Sequence, residues 1–393
     1  MRARLAVAWM LPALLTLLAC GDSAGPDERG DGTLVGTVRS AGNSAALEGA
    51  TISVAGKEAT SDANGRYELA GLAAGTVTVQ VARPGYQDAT ASVTITAGTS
   101  TRDFTLAVRE IYSSGNYAMY VPAGAGGLRA VIIALGGPTT SGFVTGDRIA
   151  PPDKPLLEES LQSVGASLRA LAASRRVALL GAKVVLEDGT GSDVALLGAI
   201  TAFAAQSGHP ELADAPFLAF GISAGAREGS GLVSRFPARA IGLLGWHPAG
   251  VSTLADPAAM AVPTLLLQAE SDETVYPVVP AAFADNRSRG ALWALVVEPG
   301  IDHDDATSAA SATIMAWISE ALNLRLPAAA GDPLVGLAQE AGWLGNQSMF
   351  EIAAWAVYPG DRSAASWLSS QATAQAWQAL GTLEPETMVG RSP

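Results

Sequence analysis

Apolar and polar positions change their period several times along the chain. Between residues 32 and 108 they alternate every second residue in short runs. These are Thr33 to Val38, Ala50 to Val54, Tyr67 to Leu69, Thr76 to Val81, Ala91 to Ile95 and Asp103 to Leu106. A period of two predicts strands with one buried face. Asp62-Ala63-Asn64-Gly65 and Arg83-Pro84-Gly85-Tyr86 supply turn chemistry between them. Short strands separated by such turns predict a small all-β sandwich.

From about residue 109 the pattern is different. Ala130 to Leu135 is an unbroken apolar run, suited to a strand buried on both faces. Further strands are predicted at Val177 to Leu180, Phe217 to Phe220, Ile241 to Leu244, Thr264 to Leu267 and Leu292 to Val297. Helical spacing falls between them, at Leu156 to Ala173, Val194 to Ala205, Ala224 to Arg235, 278–287 and Thr307 to Leu322. Strands alternating with helices predict a mostly parallel sheet covered by helices on both faces, over 109–327. Residues 328–393 carry Trp343, Trp355, Trp367 and Trp377 at intervals of about 12 residues. Short helices are expected there at 334–341, 348–357, 363–369 and 372–380. Each would bury one tryptophan, making a small C-terminal helical segment; an aromatic sugar platform is the alternative.

Composition narrows the classes. A chain of 393 residues has room for two or three domains. With 49% hydrophobic and 16% charged residues it is not a disordered chain. The formal net charge is −13 and no basic patch is visible, so nucleic acid is not an expected partner. The single cysteine excludes an internal disulfide and a cysteine-based zinc site. No metal or cofactor motif is present, so neither is expected.

That cysteine, Cys20, follows Leu17-Leu18-Ala19 at the end of an apolar run from Leu5, behind Arg2 and Arg4. The run is too short to span a bilayer comfortably. The arrangement resembles a bacterial lipoprotein signal. The resemblance implies a signal peptide over 1–19, cleavage before Cys20 and a diacylglycerol anchor on its sulfur. The membrane is then a partner through Cys20, and the location is the bacterial cell envelope, at the outer membrane or a periplasmic face. Residues 20–31 read as a flexible tether.

The β-rich segment 32–108 carries Gly36-Thr37-Val38, Gly49 to Val54, Asp62 to Tyr67, Gly75 to Val79 and Pro84-Gly85-Tyr86 in that order. In this order they resemble the carboxypeptidase regulatory-like domain, a prealbumin-like sandwich with a carbohydrate-binding-like superfold. Tyr67, Tyr86 and Phe104 read as core rather than as an exposed aromatic row. A spacer and a glycan contact are the two roles open to this module.

Candidate chemistry lies in Gly221-Ile222-Ser223-Ala224-Gly225, which follows a predicted strand and opens a predicted helix. G-x-S-x-G in that setting puts a serine on a sharp turn, where a Cβ at either flank would clash. The helix start behind it offers N–H groups to a developing oxyanion. With the stretches 116–124 and 262–278, the segment resembles the α/β-hydrolase superfamily, in its dienelactone-hydrolase, polyester-hydrolase and feruloyl-esterase branches. The superfamily's chain order of serine, acid, histidine selects His303 from the three histidines, because only His303 comes late enough. Asp272 is the expected acid; Glu270, Glu273, Asp302 and Asp304 compete with it. The backbone N–H groups of Ala224 and Gly137 are the expected oxyanion donors. The loop reads Leu135-Gly136-Gly137-Pro138, without the histidine common in the family. Trp246 and His247 are expected to meet the substrate; the alternative is a structural tryptophan and a histidine bonded to backbone. The resemblance implies a carboxylic-ester hydrolase acting on a small-molecule or polymer ester. A peptidase of the same fold and a non-catalytic glycan-binding protein are the competing readings.

Overall fold

The computed structural model describes residues 30–124, 126–136, 140–150, 152–182, 190–272 and 278–383. The signal segment with Cys20, and Gly137 and Glu273, lie outside these residues. The chain divides into two compact units, Met1–Ala82 with Asp88–Thr105, and Arg83–Gln87 with Leu106–Pro393.

The first unit contains two four-stranded sheets. In one, Gly32–Ser40 pairs antiparallel with Arg66–Leu72 and parallel with Gly98–Thr101, and Phe104–Leu106 also joins it. The other runs Lys57–Thr60, Thr51–Val54, Gly75–Ala82, Ala89–Ile95, antiparallel throughout. The period of two is visible in burial: Tyr67, Leu69, Val79, Val81, Val93 and Ile95 are inside. Tyr67 and Phe104 are core residues, as the sequence suggested, whereas Tyr86 is only half-buried. Asp62 makes the expected turn, its Oδ1 accepting from the N–H groups of Asn64 and Arg66 at 2.9 and 2.8 Å. Lys57–Thr60 and Gly98–Thr101 were not expected as strands. Both are polar and largely exposed, so only ladder pairing with their neighbours makes them strands.

The second unit is built on an eight-stranded sheet: β1 Ile111–Ser114, β2 Tyr117–Tyr120, β3 Ala130–Leu135, β4 Val177–Ala182, β5 Phe217–Ile222, β6 Ala240–Trp246, β7 Thr264–Ala269 and β8 Trp293–Glu298. Their order across the sheet is β8-β7-β6-β5-β3-β4-β2-β1. The hairpin β1–β2 joins antiparallel, and the strands from β4 to β8 are parallel. The longer helices are α1 Pro155–Arg175, α2 Thr190–Ser207, α3 Ala224–Arg235, α4 Val278–Ser288, α5 Ser308–Arg325 and α6 Gln371–Gly381. The unbroken apolar strands divide their residues between two cores. Ala130, Ile132 and Ala134 pack with Leu161, Val164, Leu168 and Ala172 of α1 and with Ile314 and Trp317 of α5. Val131, Ile133 and Leu135 pack on the other face with Leu196, Ile200 and Phe203 of α2 and with Leu232 of α3. The α1 residues recur every three or four positions, which puts them on one helical stripe. Among the described residues, no helix is long and apolar enough to cross a membrane.

The C-terminal expectation of four helices is corrected. Among its described residues only α6 is an α-helix, opened by a capping box between Ser370 and Thr373. Trp343–Gly345, Ile352–Ala354 and Ser366–Leu368 instead form a three-stranded antiparallel sheet. Each apolar run is too short to repay helix nucleation, and glycines and Pro359-Gly360 break the stretch. A strand and a turn repeat at about the same interval as a short helix and its loop, which is why tryptophan spacing misled. Trp367 and Trp377 are buried, so the four tryptophans do not make one exposed row. The Trp377 indole N–H donates to the Leu295 carbonyl of β8 at 2.6 Å, and Ser366 Oγ accepts from the Leu295 N–H at 2.9 Å. Arg287 of α4 is 1% exposed and donates to the carbonyls of Ala291, Arg362 and Ala365. Burial pushes its guanidinium down to about 10, with Asp361 opposing the shift.

Candidate active site

The site begins where β5 meets α3. Ser223 lies between them at φ 53° and ψ −123°, a backbone region unfavourable for any residue with a Cβ. Three bonds hold it there. Its N–H donates to the Trp246 carbonyl at 3.1 Å, and its carbonyl accepts from Ala226 at 3.1 Å and from Ala249 at 3.0 Å. The flanking glycines are required by close approach. A Cβ on Gly221 would lie 2.4 Å from the Ala226 Cα, and one on Gly225 would lie 2.2 Å from the Leu135 carbonyl carbon. Ala224 is the first residue of α3, so its N–H belongs to the first helical turn, which has no intrahelical acceptor. Gly136, at φ 101°, runs so close to the elbow that its Cβ would sit 1.9 Å from the Ile222 carbonyl oxygen.

The acid and the base come from the ends of neighbouring strands. Ala269 of β7 is in register with Glu298 of β8, and their loops are tied beyond that point. The Glu270 N–H donates to the Glu298 carbonyl at 3.1 Å, and the Ser271 N–H to the Ile301 carbonyl at 2.8 Å. Glu270 Oε2 accepts from the Gly300 N–H at 2.8 Å. These ties bring Asp272, which is 3% exposed, against the His303 ring. Asp272 Oδ2 and His303 Nδ1 are in close hydrogen-bond contact, and His303 Nε2 lies 2.9 Å from Ser223 Oγ. Ser223, His303 and Asp272 therefore form one hydrogen-bonded chain. Such a chain can move a proton from the serine to the imidazole while the carboxylate fixes the ring.

The three competing acids among the described residues are engaged elsewhere. Glu270 holds Gly300, Asp302 Oδ1 accepts from the N–H of His303 itself at 2.7 Å, and Asp304 lies 3.5 Å from the Lys154 ammonium. The expectation that Trp246 and His247 line a substrate cleft is corrected. Both are buried, at 2% and 3% exposure. Trp246 stacks on Phe220 with ring centroids 6.5 Å apart, and His247 Nδ1 contacts the His303 carbonyl at 2.8 Å. Strand β6 ends at Trp246 and His247 follows at φ 43°, a break from strand geometry that leaves both rings buried beneath the site. Glu298 was missed. It is fully buried, with Oε1 3.0 Å from His247 Nε2. Its signal was legible: a carboxylate two residues after the inward-facing Val296 in an apolar strand. Among the described residues, no group of three or more His, Cys, Asp or Glu side chains is arranged to hold a metal ion.

Residues 33–107 match the family model of the carboxypeptidase regulatory-like domain. No curated protein matches the chain. Among solved structures, esterase PE8 is 16% identical, with 54% of this chain and 99% of that chain covered and a TM-score of 0.36. The Bacillus anthracis TIE protein is 20% identical over 20% of this chain and 16% of that chain, with a TM-score of 0.18. A putative carbohydrate binding protein from Bacteroides uniformis is 13% identical over 23% of this chain and 50% of that chain, also at 0.18. At these scores none of the three bears on function, and the chain spans only a part of the latter two proteins.

Proposed function

We propose that the protein is a serine hydrolase of the α/β-hydrolase fold that cleaves carboxylic esters. The observation that carries this reading is Ser223, held at positive φ on a strand-to-helix turn with His303 Nε2 2.9 Å from its hydroxyl and Asp272 behind the ring. Ser223 Oγ attacks the acyl carbon while its proton passes to His303 Nε2. The oxyanion of the tetrahedral intermediate takes N–H bonds from Ala224 and Gly137. His303 returns the proton to the leaving alkoxide, the alcohol departs, and an acyl-serine remains. Water attacks that ester with His303 as base, releasing the acid and restoring the serine. Asp272 keeps the imidazole in the tautomer that accepts at Nε2 and stabilises the imidazolium.

The ester preference rests on the resemblance of 116–124 and 262–278 to esterase branches. The lipoprotein signal supports an anchor at Cys20 and a place in the bacterial envelope, and the N-terminal module, a prealbumin-like sandwich, serves as a spacer from that anchor. A fluorophosphonate probe tests the chemistry. The wild type should label at Ser223, and Ser223→Ala should not. Ser223→Ala, His303→Ala and Asp272→Asn should each lower hydrolysis of a short p-nitrophenyl ester by about 10³-fold or more, without additivity. Undiminished labelling or turnover in Ser223→Ala would refute the assignment.

A further inference from the structure

His247 sits beneath the Ser223–His303–Asp272 chain, and both of its ring nitrogens are engaged. Its ring centroid is 6.3 Å from that of His303. Nδ1 lies 2.8 Å from the His303 backbone carbonyl, and Nε2 lies 3.0 Å from Glu298 Oε1. A carbonyl oxygen only accepts, so Nδ1 carries a proton. A neutral imidazole protonated at Nδ1 has a bare Nε2, which cannot face a bare carboxylate at hydrogen-bond distance. A further proton therefore lies between Nε2 and Oε1, on the imidazolium or on the glutamic acid. In both arrangements the pair has no net charge, and in both His247 donates to the His303 carbonyl. The Nε2–H tautomer that a carboxylate partner alone would select is excluded by the carbonyl on the other side.

The pair is rigidly mounted. The His247 N–H donates to the Leu267 carbonyl at 2.8 Å, its backbone is held at φ 43°, and Glu298 ends β8. His303, by contrast, stands on the loop after β8 with its side chain 31% exposed. Glu298 is fully buried, and its Oε2 has no hydrogen-bond partner among the described residues. An unsatisfied buried oxygen costs stability, so a purely structural position would favour an apolar side chain.

We propose that His247 and Glu298 are positioning residues. They fix the main chain of His303 through the Nδ1–H bond, so that Nε2 stays within reach of Ser223 Oγ. The proposal rests on the hydrolase reading above.

The test removes the bond without leaving a buried charge. In His247→Phe with Glu298→Leu, apolar groups of similar volume replace both partners. Probe labelling of Ser223 and kcat for a short ester should fall by about 10²-fold, the cost of a small misplacement of a reacting group, with KM little changed. Pairing His247→Asn with Glu298→Leu restores an amide N–H near the His303 carbonyl and should recover about tenfold of that loss. A folded Phe/Leu variant with wild-type kcat would overturn the proposal, as would a loss seen only in KM. Should that variant not fold, nitrogen-15 NMR of the wild type decides: His247 Nδ1 must be protonated at neutral pH, and a bare Nδ1 sinks the idea. A wild type that never labels at Ser223 overturns the hydrolase reading instead, a result distinct from a variant that labels as fast as wild type.

Discussion

Gly225→Ala probes the elbow without touching a reacting group. The new Cβ would stand 2.2 Å from the Leu135 carbonyl carbon and oxygen and 2.4 Å from the Gly136 nitrogen. All three are backbone atoms, so no rotamer change relieves the collision. Ordinary contact requires a separation of about 3.4 Å or more, so α3 and the β3 loop must part by roughly 1 Å. Overpacking of this kind costs about 1–3 kcal/mol of stability. For a unit of this size that lowers Tm by roughly 2–10 °C. The same displacement carries the β3 loop away from Ser223, and a 1 Å error in an active site costs about 10²-fold in rate. The assay is kcat for a soluble ester together with the rate of fluorophosphonate labelling. Gly229→Ala, in the same helix, is the control. Its Cβ meets the tip of Leu243 at 2.8 Å, a side-chain end that can move, and alanine is the better helix former. If Gly225→Ala kept wild-type kcat, or lost no more than Gly229→Ala, close approach of elbow and loop would not be what sets the site.

Further outcomes follow from the packing and the sequence. Arg287→Met removes a buried donor from three carbonyls at about 1 kcal/mol each, so Tm should drop by roughly 5–10 °C, read by the near-ultraviolet circular dichroism of the tryptophans. Because burial lowers the Arg287 pKa to about 10, its charged form costs stability at neutral pH, and that cost is relieved only as pH rises through about 10. Deleting 328–393 strips Leu368, Trp377 and Leu380 from the core cluster they share with Ile314 and Trp317, and soluble expression should be lost. A soluble, active truncation would show that the segment is dispensable. Cys20→Ser should move the protein from the membrane fraction to the soluble fraction or leave it unprocessed; equal partitioning of both forms would remove the lipoprotein reading.

Legibility in the sequence followed the range of the interaction. The alternation in Thr76 to Val81, the unbroken run Ala130 to Leu135 and the stripe on α1 were each readable because burial imposes a local period on one element. Gly221 and Gly225 were readable because the turn that needs them is local. Chain order pointed to Asp272 and His303, since each follows its own strand. The sequence could not show that Lys57–Thr60 and Gly98–Thr101 are strands, because their conformation comes from partners across the ladder. It could not separate helices from strands after residue 328, where each strand is three residues long and the sheet forms only by pairing between separate segments. It placed Trp246 and His247 near the serine but not their side chains beneath it. Which way a ring points at the end of β6 depends on what β7 and β8 put beside it, and Glu298 is 51 residues away. The sequence determined the elements whose burial imposes a local period, and the order in which Ser223, Asp272 and His303 follow their strands. Tertiary structure decided which side chains join Ser223 in one hydrogen-bonded chain and which sit beneath it, because that depends on the packing of strands far apart in the chain.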